Sequence, residues 1–193
     1  MSNKSENKKS YILQKAHEVF MQKGYKNVSM KDIVEACEIS RGGLYLYYKS
    51  TEEVFQDVLR AEIERGDRKL EKELAGEATP ADIMMVFFRA QKAEAVGSQS
   101  GLSMAMYEYY AMKDGNEENL IRDRFENGVL VLQKLIEMGI KTGEFRCAYP
   151  NLEAHSMMYA LEGMKIMAQT ARLSSKEFDK EMLYLLSRIV IEK

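Results

Sequence analysis

Only two prolines, Pro80 and Pro150, occur in 193 residues, and that scarcity constrains the fold more than any other count. Proline interrupts helices and marks turns and sheet edges. A chain that hardly uses it, and that is rich in Leu, Met, Ala, Glu and Lys, reads as nearly all-helical. Tryptophan is absent, and β-branched residues never cluster into alternating strand patterns. With 46% apolar and 30% charged residues, the chain has the composition of a globular protein and not of a disordered one. Its length suits one ordinary domain, or a small domain fused to a larger one.

Apolar periodicity and glycine stops divide the chain into nine expected helices. The first spans 9–23, with Ile12, Ala16, Val19 and Phe20 on one face and Gly24 closing it. Ser29 stands as the N-cap of the second, and Asp32 supplies the acidic half of a capping box. Met30, Ile33, Val34 and Cys37 form its stripe. Glu38 and Ile39 make a turn, and Ser40 is placed to cap a third short helix from Arg41. Thr51 is expected to cap a fourth helix over 51–74, with Glu52 and Glu53 complementing its dipole. Gly76 and Pro80 mark a break; further helices are expected over 80–96, 102–113, 117–141, 151–172 and 175–191. The GSQSG stretch, the turn at 114–116, 143–150 and 174–175 separate them.

Charge is unevenly spread. Residues 1–50 carry nine Lys and Arg against five Asp and Glu; the remainder carries 19 against 25. A basic head on an acidic body is the asymmetry of a protein whose one end meets phosphate. The two cysteines, Cys37 and Cys147, form neither a metal-ligand spacing nor a disulfide framework, and His17 and His155 lack companions, so neither metal nor cofactor is expected. The N-terminal MSNKSENKKS reads as a polar tail and the longest apolar run, 83–88, is too short to cross a bilayer; a cytoplasmic protein is expected.

The run Ser40, Arg41, Gly42, Gly43, Leu44, Tyr45, Leu46, Tyr47, Tyr48, Lys49, Ser50, Thr51, Glu52, Glu53, Val54 closely resembles the DNA-binding head of the tetracycline-repressor (TetR) family. The resemblance starts at Ile12 and runs through Ala16 to Phe20, Lys23 to Tyr25 and Val28 to Cys37. It implies an all-α fold: a helix-turn-helix head over 1–50 and a larger helical effector-binding and dimerisation domain over 51–193. In such a head the third helix enters the major groove while its neighbours hold phosphates. Arg41 can make a bidentate contact to guanine, and Gly42 and Gly43 allow close approach. Tyr45 and Tyr47 carry hydroxyls toward phosphate or stack on a thymine methyl. Ser29, Ser40, Lys49 and Thr51 are placed for phosphate, and Leu44 and Tyr48 for packing. Three positions depart from the family pattern. Thr51 stands where a basic residue is common, Leu46 where a polar or aromatic one is, and Gly43 where Thr, Ser or Ala is; Leu46 would give an apolar contact with thymine. The alternative is a three-helix corner that touches no DNA.

In the resembled family the last two helices pair with their mates as a four-helix bundle. Phe178, Met182, Leu185, Leu186 and Ile189 form an apolar stripe on the last helix and are the candidate dimer face; the alternative is that they pack inward. The family's effector cavity lies among the middle helices, which here carry Phe87, Phe88, Met104, Tyr107, Tyr110, Phe125, Met158, Tyr159 and Glu162. A Met- and Tyr-rich interior suits a lipophilic guest, and equally a plain core. Glu162 would need a partner if it points inward, either a cationic ligand or a Lys or His of the chain itself. Gly163 beside it suggests close helix contact or room for a ligand.

The resulting expectation is a homodimeric repressor released from a palindromic DNA operator by a small lipophilic effector. Activation, effector-independent DNA binding and an enzyme using the helical cavity are the alternatives. No phosphate loop, nucleophile elbow or HExxH motif supports the last, and no catalytic residue is assigned.

Overall fold

The computed structural model describes residues 3–73, 78–97, 100–113 and 119–191. Among them are nine helices and no strand: α1 (Asn3–Lys23), α2 (Met30–Cys37), α3 (Arg41–Tyr45), α4 (Thr51–Glu73), α5 (Pro80–Val96), α6 (Ser100–Tyr110), α7 (Leu120–Thr142), α8 (Pro150–Thr170) and α9 (Ser175–Ser187). The expected end of the fourth helix at Leu74, the break at Gly76, Ser98 and Gln99 of the GSQSG stretch, the turn at 114–116 and the start of a helix at 117 lie outside the described residues.

The helix starts follow local chemistry. Ser29, Thr79 and Ser174 each close a capping box, with Asp32, Asp82 and Glu177 three residues on. Two termini differ from expectation. α1 begins at Asn3; its first turns are polar and carry no apolar periodicity to betray them. α9 ends at Ser187 and not at 191. Beyond it the chain opens, with the Arg146 amide donating to the Ile189 carbonyl (2.7 Å) and the Ile191 amide to the Glu144 carbonyl (3.1 Å).

The chain folds as two compact units. The head takes Met1–Arg68 together with Gly101–Lys113; the body takes Lys69–Ser100 and Asp114–Lys193. The sequence suggested a division at residue 50. Instead the first part of α4 and the whole described length of α6 after Ser100 group with the head. The chain therefore leaves the body after Ser100, passes α6 through the head and returns at Asp114.

Ile12, Ala16, Phe20, Ile33, Leu44, Val54 and Phe55 are fully buried in the head. Phe20 meets Phe55 edge-on at 4.6 Å, and Tyr25 and Tyr109 complete an aromatic cluster around them. The body core joins α5, α7, α8 and α9 through Met84, Phe88, Leu132, Ile136, Met157, Leu161 and Phe178. Burying one such side chain contributes about 1.5–3 kcal/mol. No described helix is long and apolar enough to cross a membrane.

Candidate nucleic-acid interface

α2 and α3 are fixed from both ends. The Ser29 amide donates to Asp32 Oδ2 (2.8 Å), and the Asp32 amide donates to Ser29 Oγ. Lys23 also pairs with the Asp32 carboxylate, and these contacts hold it far below the usual carboxylate range, the Lys23 bond contributing most. At the other end Glu38 takes a left-handed conformation (φ 52°), which turns the chain sharply into α3. Ser40 Oγ accepts from the Gly43 amide at 3.1 Å. Leu44 is fully buried and anchors the inner side of α3. Tyr48, also buried, donates its hydroxyl to Asp57 on α4 at 3.1 Å, and burial pushes that hydroxyl's pKa upward.

The outer side of α3 carries the residues singled out for DNA. Arg41, Gly42, Tyr45 and Leu46 are exposed, Leu46 to 84%. The Arg41 guanidinium lies over the Tyr45 ring at 5.4 Å, a cation–π contact that presents its donors from a restrained position. Ser29, Ser40 and Lys49 are exposed, and Gly43, Tyr47 and Thr51 half-buried. Thr51 is not the cap of α4. Ser50 takes that place, its Oγ accepting from the Glu53 amide (3.2 Å) and its carbonyl from the Val54 amide (3.3 Å). A serine beside a threonine gives two equally suitable caps, and only the backbone turn decides between them.

One constellation of the head carried no sequence signal beyond a single oddity. Glu108 is the lone charged residue of α6, and its carboxylate accepts from the amides of Tyr25 (2.8 Å) and Lys26 (3.2 Å), just past α1. Gly24 has φ +74°, and a Cβ there would sit 2.6 Å from that carboxylate. A Cβ on Gly101 would fall 2.2 Å from the Met21 carbonyl oxygen, so α6 crosses α1 at backbone contact. Tyr109 donates to Glu52 (2.9 Å) and accepts from Gln56 (2.9 Å), both on α4. Lys113 also pairs with Glu52 at 2.5 Å, and the contacts from Lys113 and Tyr109 lower the carboxyl's pKa.

The body residues fall otherwise than the sequence suggested. Phe178, Met182, Leu185 and Ile189 are buried within the body's own core, with Leu186 packed against it, so the proposed dimer stripe faces inward. Their helix is amphipathic as read; the face they form is covered by the chain itself. The outward face carries Leu183 and Tyr184, each 63% exposed. α8 likewise turns Leu152 (64%), Tyr159 (67%), Ile166 and Met167 outward.

The residues expected around an effector are divided between the two units. Phe87, Phe88 and Met158 belong to the body core, with Phe125 packed beside it. Tyr159 stands outside, tilted against Phe125 at 4.8 Å. Met104, Tyr107 and Tyr110 lie on α6, in the head unit. Glu162 finds its partner one turn along the same helix: Lys165, buried, contacts it at 2.9 Å and Glu94 at 3.0 Å, while Arg124 contacts Glu94 at 2.8 Å. Burial alone would raise the Glu94 pKa, but Lys165 and Arg124 outweigh it and hold the carboxyl below its ordinary value. Gly163 is exposed, with open space where a Cβ would be, so no contact within the chain explains it. A surface cleft of about 530 Å³, lined among others by Arg146, Cys147, Tyr149, Leu152 and Arg188, had no sequence signal. Among the described residues no three His, Cys, Asp or Glu side chains are grouped to hold a metal.

Three helices, the second and third capped by Ser29 and Ser40, with an outward arginine, tyrosine and open glycine on the third, define a helix-turn-helix DNA-binding transcriptional regulator. Comparison with known proteins agrees. Residues 12–58 match the family model described as bacterial regulatory proteins, tetR family, and 83–179 match the tetracyclin repressor-like C-terminal domain. The chain belongs to the TetR family. It is 33% identical over 142 residues to the HTH-type transcriptional regulator YfiR of Bacillus subtilis, covering 72% of this chain and 68% of that protein. A transcriptional regulator from Saccharomonospora viridis, solved in complex with choline, superposes with a TM-score of 0.85 at 17% identity, over 95% of this chain and 98% of the other. AibR, solved with isovaleryl coenzyme A and operator DNA, gives 0.67 at 18% identity, over 91% and 95%.

Proposed function

We propose that the protein is a homodimeric repressor that binds a palindromic operator through α3 and leaves it when a small lipophilic molecule occupies the helical body. The observation that carries this is the outward face of α3: Arg41 stacked over Tyr45 beside the bare backbone of Gly42, on a helix anchored by Leu44 and capped by Ser40. Arg41 reads a base edge, Tyr45 and Tyr47 reach backbone or base, and Ser29, Ser40, Lys49 and Thr51 border the groove for phosphate. Gly43 keeps α3 close to its cap.

Two copies are needed because successive major grooves of one duplex face lie about 34–36 Å apart. The reading places the interface on the outward apolar residues of α8 and α9. Leu152, Tyr159 and Ile166 recur every seven residues, and Gly163 among them leaves room for a second helix to approach. The choline and acyl coenzyme A complexes of the structural neighbours support a small organic effector here. Glu162, already matched by Lys165, does not demand a cationic one.

Release is a population shift: a ligand favouring one conformation of the body lowers operator affinity through α4 and α6, the two helices by which the chain passes between units. A tenfold loss of affinity requires only about 1.4 kcal/mol of preference between states. The protein thus acts in the cytoplasm by binding and not by turnover.

The test is selection of duplexes from a random pool by the full-length protein, followed by titration in the presence of excess random DNA. A selected inverted repeat should survive the competitor. Binding that is erased by equal masses of random duplex would reduce the protein to non-specific DNA binding.

A further inference from the structure

Of all large apolar side chains among the described residues, Leu46 is the most exposed, at 84%. Single exposed leucines are ordinary on protein surfaces; the position of this one is not. Leu46 closes α3, with helical backbone angles (φ −68°, ψ −23°) and its amide donating to the Gly42 carbonyl at 3.2 Å. Its side chain therefore leaves the helix in a fixed direction. At about 100° per residue, Arg41, Gly42, Tyr45 and Leu46 share an arc of about 140°, opposite Leu44. Within that arc Gly42 contributes no side chain, and nothing approaches within 4 Å of where its Cβ would be. Tyr45 is engaged with Arg41. What remains beside the gap over Gly42 is an aliphatic side chain almost wholly turned to solvent.

Base edges in the major groove offer hydrogen-bond donors and acceptors, and one apolar group: the C5-methyl of thymine. A leucine carried into the groove beside an unobstructed backbone has that methyl as its sole apolar complement; against any other edge it would desolvate polar atoms without returning a hydrogen bond. We infer that Leu46 is a specificity-determining residue that selects one thymine in each operator half-site through contact with its methyl group. This rests on α3 being the DNA-reading helix.

The test uses the duplex that the full-length protein selects from a random pool. Each thymine is replaced in turn by deoxyuridine, which removes the methyl and leaves the Watson–Crick pairing unchanged, and affinity is read by fluorescence anisotropy. At one position per half-site the wild-type protein should bind about fourfold more weakly, the equivalent of one methyl group removed from an apolar contact. In Leu46→Ala that position should become indifferent to the replacement, and in Leu46→Met, which retains an apolar reach, the penalty should persist. Uniform tolerance of deoxyuridine by the wild type, or the same penalty in Leu46→Ala, would overturn the inference while leaving operator binding intact. Failure of the wild-type protein to select any duplex would remove the DNA-reading role of α3 itself.

Discussion

Around α3 the exposed residues are an arginine, a glycine, a tyrosine and a single leucine; along α8 and α9 they are Leu152, Tyr159, Ile166, Met167, Leu183 and Tyr184. Both regions belong to amphipathic helices whose inner faces are anchored by fully buried residues, Leu44 in one and Phe178 in the other. They differ in what the outer face can recognise. The first offers separated hydrogen-bonding and cationic groups suited to a polar polymer of defined spacing. The second offers large apolar side chains turned outward on both helices, suited to a protein surface. An amphipathic stripe identifies a helix that buries one side, and the composition of its other side identifies what that helix meets next.

Five substitutions test this contrast, beginning with the largest effect. Leu185→Asp places a carboxylate in the body core and should cost about 4 kcal/mol of stability, read from urea denaturation. Leu183→Asp, two residues away on the outer face, should leave that stability nearly unchanged and convert dimer to monomer by light scattering. If instead Leu185→Asp dissociates a dimer of unchanged stability while Leu183→Asp destabilises the fold, the assignment of faces on α9 is reversed. Lys165→Met leaves Glu94 and Glu162 without their shared cation and should cost about 3 kcal/mol. Because Glu94 is held below its ordinary value of 4.5, its contribution is complete above that pH and lost as pH falls through the lowered value. Melting curves taken from pH 7 downward should therefore draw together for the two proteins as that carboxyl is protonated; a constant gap would contradict the charge network.

Arg41→Ala should weaken binding to the selected duplex by about 2 kcal/mol, roughly thirtyfold, with far less effect on random DNA. Equal losses on both would make Arg41 a phosphate contact and erase the chemical distinction between the two outer faces. Ser29→Ala should be mildest, at about 1 kcal/mol through loss of the α2 cap, visible as a small drop in melting temperature.

Legibility in the sequence followed the range of each interaction. Ser29 with Asp32 and Ser40 before Arg41 were readable because a capping residue and its helix lie within three or four positions. The stripe of Phe178, Met182, Leu185 and Ile189 was readable as a stripe, but periodicity carries no information about which neighbour covers it. Tyr159 was expected inside and stands outside, because an aromatic residue on a helix with apolar residues all round gives no unique inner face. Glu108 joins residues 83 and 82 positions away, and no local pattern encodes such a partner. For Glu162 the sequence left two sources of a cation open, a ligand or a Lys or His of the chain, and the structure supplies Lys165 one turn along.

The threading of α6 through the head bears on how this protein can be taken apart. A fragment ending at residue 50, or even at 68, would lack the ring of Tyr109 against Phe55 and Tyr25 and the acceptor for two amides after α1. Transplanting the DNA reader onto another scaffold therefore calls for a discontinuous graft, residues 101–113 travelling with the first 68. Chimeras spliced at a single junction would inherit a foreign sixth helix and, with it, an unmatched seam beneath the reader.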